Sequence, residues 1–341
     1  MLKDERPIIG VTMGDPVGVG PEIIVKSFSQ KSLFETIRPV VLGDIDILKR
    51  AREVLNSDIV INPVENPATG GYQQGIIDVI PLSSLKREQT LYGRPTEETG
   101  RAMTHYILKA IDLAMEGFLH AVVTCPINKM AMHMAGFHYN GHTELFAERT
   151  HAEAYAMMLA GNRLKVVLVT IHLPFIQVAE TISTDKIVDL ILLTDLSLKH
   201  RFGIDRPRIA VAGLNPHAGE EGMFGREEID IIAPAIARAK KMGVDVQGPF
   251  PPDTVYYQAV TRKAFDVVVS MYHDQGLIPF KLIHFEDGVN TTLGLSIIRT
   301  SVDHGTAYDI AGTGIANPES LISAIKMAGD QVLHSRDPLK H

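Results

Sequence analysis

Tryptophan is absent, cysteine occurs once, and aromatic residues make up only 6% of the 341 positions. A lone Cys125 excludes any intramolecular disulfide and removes the need for an oxidising compartment, so a buried thiol is the expected state. No stretch approaches the ~20 uninterrupted apolar residues of a membrane span. The opening Met1-Leu-Lys-Asp-Glu-Arg-Pro7 has no apolar segment of a secretory signal. Clusters of Lys and Arg are missing too. With 33 basic against 40 acidic residues the formal charge is −7, which argues against a nucleic-acid or anionic-membrane surface. These absences predict a soluble, cytoplasmic protein whose partners are small molecules. Any phosphate it binds must be met by a few placed groups.

What is present is the composition of a globular chain, 45% hydrophobic and 21% charged, with a length that favours two lobes. Apolar runs of strand length recur at Ile8–Met13, Val40–Leu42, Ala121–Thr124, Val166–Thr170, Ile209–Ala212 and Val267–Val269. Between them lie helix-period segments, notably Thr96 to Phe118, Asp185 to Lys199, Glu227 to Lys241 and Pro318 to Gly329. This alternation predicts an α/β fold built from parallel βαβ units.

Three of those apolar runs lead into a histidine. Lys165–Ile171 runs into His172-Leu-Pro, Arg208–Gly213 into Leu-Asn-Pro-His217, and Phe265–Ser270 into Met-Tyr-His273-Asp-Gln-Gly-Leu-Ile-Pro-Phe-Lys281. Strand carboxyl ends are where α/β proteins place ligands, because the loop backbone is accessible while the scaffold is rigid. Imidazole nitrogen is the commonest ligand of borderline divalent metals, so three such histidines predict a metal site, with Asp274 and Glu220-Glu221 as nearby supports.

Three further clusters carry polar groups. Gly14-Asp-Pro-Val-Gly-Val-Gly-Pro-Glu22 follows the first strand and resembles a phosphate loop. Its spacing is not Gly-x-Gly-x-x-Gly, however, and Asp15 and Glu22 would repel a pyrophosphate, which favours a tight strand-to-helix turn. Thr124-Cys-Pro-Ile-Asn-Lys129 is followed by Asn140-Gly-His142-Thr143-Glu144, which suits an anion or, alternatively, a helix start capped by Thr143. Gly288–Gly294 and Ile298–Gly312 are dense in polar side chains, as expected of a loop folded on a ligand, and Lys281 and Arg299 are the natural anchors for an anionic substrate.

At these residues the chain closely resembles the 4-hydroxythreonine-4-phosphate dehydrogenase family over nearly its whole length. The matches, in order, are Gly14–Glu22, Gly141–Glu144, Asn215–Glu220, Met271–Gly276, Gly288–Asn290 and Ile298–Ala307. The resemblance implies two α/β/α domains with a cleft between them, similar to isocitrate and isopropylmalate dehydrogenases. It places residues 1–125 and 297–341 on the cofactor side and 126–296 on the metal, substrate and dimer side. It also implies a homodimer whose metal site is shared between subunits. By position, His172, His217 and His273 match the divalent-metal ligands (zinc, magnesium, manganese or cobalt). His142, Thr143, Lys281, Asn290 and Arg299 match substrate-binding positions. His304, Gly305, Thr306 and Asp309 lie in a segment that looks like the NAD adenosine loop of isopropylmalate dehydrogenases. Cys125–Lys129, Gly222–Gly225 and Pro251–Val255 resemble the branch acting on D-threonate and D-erythronate 4-phosphates.

The activity so implied is NAD-dependent oxidation of the C3 hydroxyl of a 4-phosphorylated four-carbon acid, followed by decarboxylation. Asp274 and Lys281 are the expected catalytic side chains, Asp274 for proton transfer. Three other readings compete: an aromatic cis-dihydrodiol dehydrogenase of the same family, a metal-dependent hydrolase of a phosphorylated metabolite, and a non-catalytic metabolite or metal sensor.

Overall fold

The computed structural model describes residues 4–139 and 141–335; Asn140, which precedes Gly141-His-Thr-Glu144, lies outside them. The chain divides into two compact units, one of residues 4–153 and 295–335, the other of residues 154–294. The segment 126–153, expected in the second domain, thus falls in the first unit.

The first unit opens with β1 (Ile8–Thr12), β2 (Arg38–Gly43), β3 (Val60–Pro63), β4 (Ile76–Pro81) and β5 (Ala121–Thr124). The second holds β6 (Ala156–Ala160), β7 (Lys165–Leu168), β8 (Ile209–Ala212), β9 (Val246–Phe250), β10 (Val267–Ser270) and β11 (Val289–Leu293). The chain then returns to the first unit with β12 (Ile298–Val302). In the first unit the order is β3-β4-β2-β1-β5-β12, parallel throughout. In the second it is β11-β6-β7-β10-β8-β9. There the pairs β11–β6 and β6–β7 are antiparallel, so the all-parallel expectation fails. Only the four-residue gap Gly161–Leu164 separates β6 from β7, too short for a helical crossover, and so the pair closes as a hairpin.

Every residue of β1, β5, β8 and β10 is buried, as suits parallel strands covered on both faces. In the second unit Leu159, Val166, Val268, Val255, Leu277 and Phe280 share one core cluster. The helices form where their ends are capped. Glu97–Met115 begins with a reciprocal Thr96–Thr99 capping box and two acidic residues in its first turn. Thr184–Phe202 starts under a Ser183 cap and ends at Gly203, whose φ of 67° only glycine adopts without strain.

The histidine that follows β10 opens a helix, and one segment expected in a loop is a strand. Residues His273–His284 form a helix in spite of Gly276 and Pro279. Gly276 is needed there, because a Cβ would stand 2.5 Å from Val166 and 2.8 Å from Leu168. Residues Val289–Leu293 form β11, whose Thr291, Thr292 and Leu293 are buried in the unit. Among the described residues no helix is long and apolar enough to cross a membrane.

Candidate functional site

In the second unit β7, β10 and β8 are consecutive parallel neighbours, with Ser270 opposite Leu168 and Val269 opposite Val211. Their carboxyl ends therefore lie along one edge, and each is followed within five residues by His172, His273 or His217. Side chains tie that edge together. The Thr170 hydroxyl donates to the Met271 carbonyl at 2.7 Å. Gln275, 7% exposed, accepts from the Met271 N–H at 2.6 Å and donates to the Gly213 carbonyl at 2.7 Å. One glutamine thus fixes the spacing of two histidine loops.

The rings of His172 and His273 face each other with centroids 5.9 Å apart. The two residues line one pocket with Thr170, Leu173 and Asp274; His217 lines an adjacent pocket with Asn215, Pro252 and Asp253, and both pockets share Phe175, Val178 and Tyr272. Among the described residues no group of three or more His, Cys, Asp or Glu is placed to hold a metal within one chain. The structure therefore pairs two of the three expected ligands and puts the third next door. His273 Nδ1 and Asp274 Oδ1 are 2.7 Å apart, which leaves Nε2 as the nitrogen open to a ligand. Lys281 lines neither pocket; it lies eight residues along the helix from His273, about 12 Å at 1.5 Å per residue. Asn290, on β11, has a buried Oδ1 without a hydrogen-bond partner.

His217 sits in unusual backbone. Residues 217–221 all have positive φ, from 39° at Glu220 to 78° at Gly219. Four of the five are not glycine, and such conformations are held only when the surroundings over-determine them. Glu228, 3% exposed, anchors the corner that leads into them. Its Oε1 accepts from the N–H groups of Leu214 and Asn215, both at 2.7 Å, and its Oε2 accepts from Asn215 Nδ2 at 2.9 Å.

The first unit carries a cluster of buried basic and polar side chains. Arg299, on β12 and 2% exposed, donates from Nη2 to Thr124 Oγ1 at 2.9 Å and lies 5.6 Å from the Phe146 ring centre. Burial pushes its guanidinium down to about 10, against a raising influence from Glu144. The helix His142–Arg149 starts beside it, with Gly141 rather than Thr143 at the cap position. His142 Nε2 is buried without a hydrogen-bond partner. Burial, then Arg299 and Lys129, hold this imidazole well below the ordinary histidine range. A neutral imidazole between two cations, with one nitrogen unsatisfied, is a place prepared for an anion or its polar group. Lys129 comes from the Thr124–Lys129 motif, placed just after Asn128, the residue that caps the helix Lys129–Met134.

The low pKa of His142 has a consequence for stability. The unfolded chain binds a proton there near the ordinary value of about 6.5, whereas the folded chain does not. Stability contributed at this position is full above that value and is lost as pH falls below it. Between pH 7.5 and 5.5 the unfolding free energy of the wild type will therefore fall more than that of His142→Asn, as denaturant titrations at each pH will read. Parallel curves would refute the buried, neutral state.

Of the expected cofactor residues, Asp309 is exposed and Gly305 has open space where a side chain would begin. His304 Nδ1 is 3.0 Å from the Gly305 carbonyl oxygen, and its Nε2 is buried without a hydrogen-bond partner. An orphaned ring nitrogen beside an open glycine fits a ligand that brings a polar edge.

The family model described as pyridoxal phosphate biosynthetic protein PdxA matches residues 35–328. A 4-hydroxythreonine-4-phosphate dehydrogenase of Desulforapulum autotrophicum is 56% identical over 330 residues, 97% of either chain. A D-threonate 4-phosphate dehydrogenase of Salmonella typhimurium is 46% identical over 325 residues, covering 95% of this chain and 98% of that one. Among solved structures, the 4-hydroxythreonine-4-phosphate dehydrogenase from Klebsiella pneumoniae has 43% identity and a TM-score of 0.87, covering 97% of this chain and 99% of that chain. With a family match over most of its length and full-length relatives at these identities, this chain belongs to the PdxA family.

Proposed function

We infer that this protein is an NAD-dependent, divalent-metal-dependent dehydrogenase that oxidises the C3 hydroxyl of a 4-phosphorylated four-carbon hydroxy acid and releases C1 as carbon dioxide. The substrate is 4-hydroxy-L-threonine 4-phosphate or D-threonate or D-erythronate 4-phosphate. The observation that carries the reading is the edge where β7, β10 and β8 deliver His172, His273 and His217 from loops cross-tied by Thr170 and Gln275. The relatives' names supply the reaction class.

A divalent ion supplies Lewis-acid polarisation of the C3 oxygen and stabilises negative charge left by decarboxylation. His172, His217 and His273 would hold it, and an all-imidazole set suits zinc or cobalt better than magnesium. NAD is the hydride acceptor, and His304, Gly305, Thr306 and Asp309 are assigned to it. Arg299, His142, Thr143, Lys281 and Asn290 are assigned to binding and orienting the anionic ends of the substrate. The contact from Asp274 to His273 supports an orienting role for this carboxylate over proton transfer.

The protein acts as a homodimer, with a second copy completing the metal site. The helix that begins at His273 leaves Ile278, Leu282 and Phe285 exposed at 67, 87 and 77%, an i, i+4, i+7 apolar stripe beside a ligand histidine. Covering this stripe with a second chain would bring new groups to the paired rings, which a single chain leaves one ligand short.

The test is NADH formation by metal-stripped and then metal-restored protein, offered the three phosphorylated acids in parallel. Metal-dependent NADH with one of them supports the reading and names the substrate. No NADH with any, from protein that still binds metal, would sink it in favour of dihydrodiol oxidation or hydrolysis.

A further inference from the structure

The motif Gly14-Asp-Pro-Val-Gly-Val-Gly-Pro-Glu22 has no part in the proposed chemistry, yet its two carboxylates are among the most buried charged groups of the first unit, both 0% exposed. Neither is presented outward. Glu22 Oε1 accepts from the Gly312 N–H at 2.5 Å and its Oε2 from the Gly314 N–H at 2.7 Å. Asp15 Oδ1 accepts from the Val17 N–H at 3.1 Å, and its Oδ2 accepts from the Tyr308 hydroxyl. Between these two contacts the Val19 N–H donates to the Thr306 carbonyl at 3.0 Å. Gly18 lies so near that a Cβ would stand 3.0 Å from the same oxygen.

Apart from the local Val17 contact, these bonds end in one segment, residues 304–314, the stretch assigned to the dinucleotide. Inside itself that segment has short turns: the Ile310 and Ala311 N–H groups both donate to the Ala307 carbonyl at 3.1 Å, the Thr313 N–H and hydroxyl donate to the Ile310 carbonyl at 3.2 and 2.6 Å, and His304 Nδ1 is 3.0 Å from the neighbouring Gly305 carbonyl oxygen. It also carries positive φ at Ala307, Gly312 and Gly314. A segment whose internal bonds are all such short turns takes one shape only if its neighbours impose it. A buried carboxylate does this well: both oxygens must be satisfied, so the position of the backbone donors is fixed.

We propose that Asp15 and Glu22 are positioning residues, a two-point carboxylate clamp, with Tyr308 as one donor, that sets the conformation of residues 304–314 and thereby the affinity for the dinucleotide. The inference rests on the reading that His304, Gly305, Thr306 and Asp309 hold NAD. It also explains why acidic residues stand in a glycine-rich loop beside a cofactor segment. Their charge faces inward onto N–H and O–H groups and does not meet the pyrophosphate.

The experiment compares wild type with Tyr308→Phe, which removes one hydroxyl and keeps the ring, and with Glu22→Gln, which keeps the shape and replaces one acceptor by a donor. NADH affinity is read by fluorescence titration, metal affinity by calorimetry, and order in residues 304–314 by amide hydrogen exchange. If the clamp holds the competent conformation, loosening it multiplies the apparent Kd by the inverse of the remaining competent fraction, about tenfold when nine-tenths of molecules leave it. The expected result is that rise in the Kd of NADH, with faster exchange confined to 304–314 and metal affinity unmoved. Adding Asp15→Asn to Tyr308→Phe should recover part of the loss, since the carboxylate left without its donor is then neutral. Variants with wild-type NADH affinity and wild-type exchange would overturn the clamp and leave the functional reading standing. A wild type that binds no NADH would overturn that reading first, and the clamp's link to the dinucleotide with it.

Discussion

Replacing His172 or His273 with alanine will lower bound divalent metal and turnover together, by more than about 100-fold, because even indirect partners of a metal ligand cost 10–100-fold when removed. The physical reason lies in how these rings are held. Each follows a strand end that is tied to its neighbour: the Thr170 hydroxyl bonds the Met271 carbonyl at 2.7 Å, and Gln275 bonds the Met271 N–H at 2.6 Å. The backbone therefore keeps its place when a ring is deleted, and the loss reads the ring itself. Asp274→Asn tests the next layer out. It keeps an acceptor near His273 Nδ1 but removes the charge, so metal affinity should fall by no more than about tenfold. Metal content by atomic emission and kcat measured on the same samples decide the matter. Full metal occupancy in His273→Ala would remove this residue from the site. Full occupancy with lost turnover would make it a catalytic group of another kind.

How much of this could be read from residues alone depends on the distance over which the information acts. The three histidines were legible because each is local to its strand: a run of Val, Ile or Ala followed by a Pro- or Gly-containing turn and an imidazole places the ring at a carboxyl end wherever the strand goes. The order β7-β10-β8, which makes the three ends neighbours, is a long-range fact that no window of sequence contains. The same holds for Gln275. Its motif marked the position, but its use as a bridge to Gly213, 62 residues away, follows only from the packing of β10 on β8. Asp15 and Glu22 show the opposite case. Their motif follows the first strand and marks a strand-to-helix turn, but the partner of the two carboxylates, a segment about 290 residues away in the chain, could not be read. The helix at His273–His284 is not announced locally, since Gly276 and Pro279 are helix breakers; the glycine answers a tertiary demand, because Val166 and Leu168 leave no room there for a Cβ.

Glu228→Ala should be the most damaging single change at a residue that never faces either pocket. The carboxylate is 3% exposed and accepts from three donors of the Leu214–Asn215 corner at 2.7 to 2.9 Å. It is also wedged between two glycines, since a Cβ on Gly213 would stand 3.0 Å from Oε1 and one on Gly219 2.6 Å from Oε2. Alanine leaves the Leu214 and Asn215 N–H groups without their acceptor in a buried place, at about 1–3 kcal/mol each, while Asn215 Nδ2 keeps Glu227 Oε2 at 2.7 Å, so a loss of at least about 2 kcal/mol in unfolding free energy is expected. The corner these acceptors hold leads directly into residues 217–221, where each left-handed non-glycine residue costs roughly 1–2 kcal/mol. Without them the turn relaxes toward negative φ and carries His217 away from its pocket. Glu228→Gln separates the two effects. The amide oxygen still accepts from Leu214 and Asn215, so most of the stability returns, while the amide nitrogen now faces the donor Asn215 Nδ2 and the corner is re-aimed. The expected pattern is a large fall in chemical-denaturation stability for alanine and a small one for glutamine, with metal affinity reduced about 10–100-fold in both. Glutamine with wild-type metal affinity would show that the left-handed turn holds without the second oxygen, and that His217 is placed by the strand end alone.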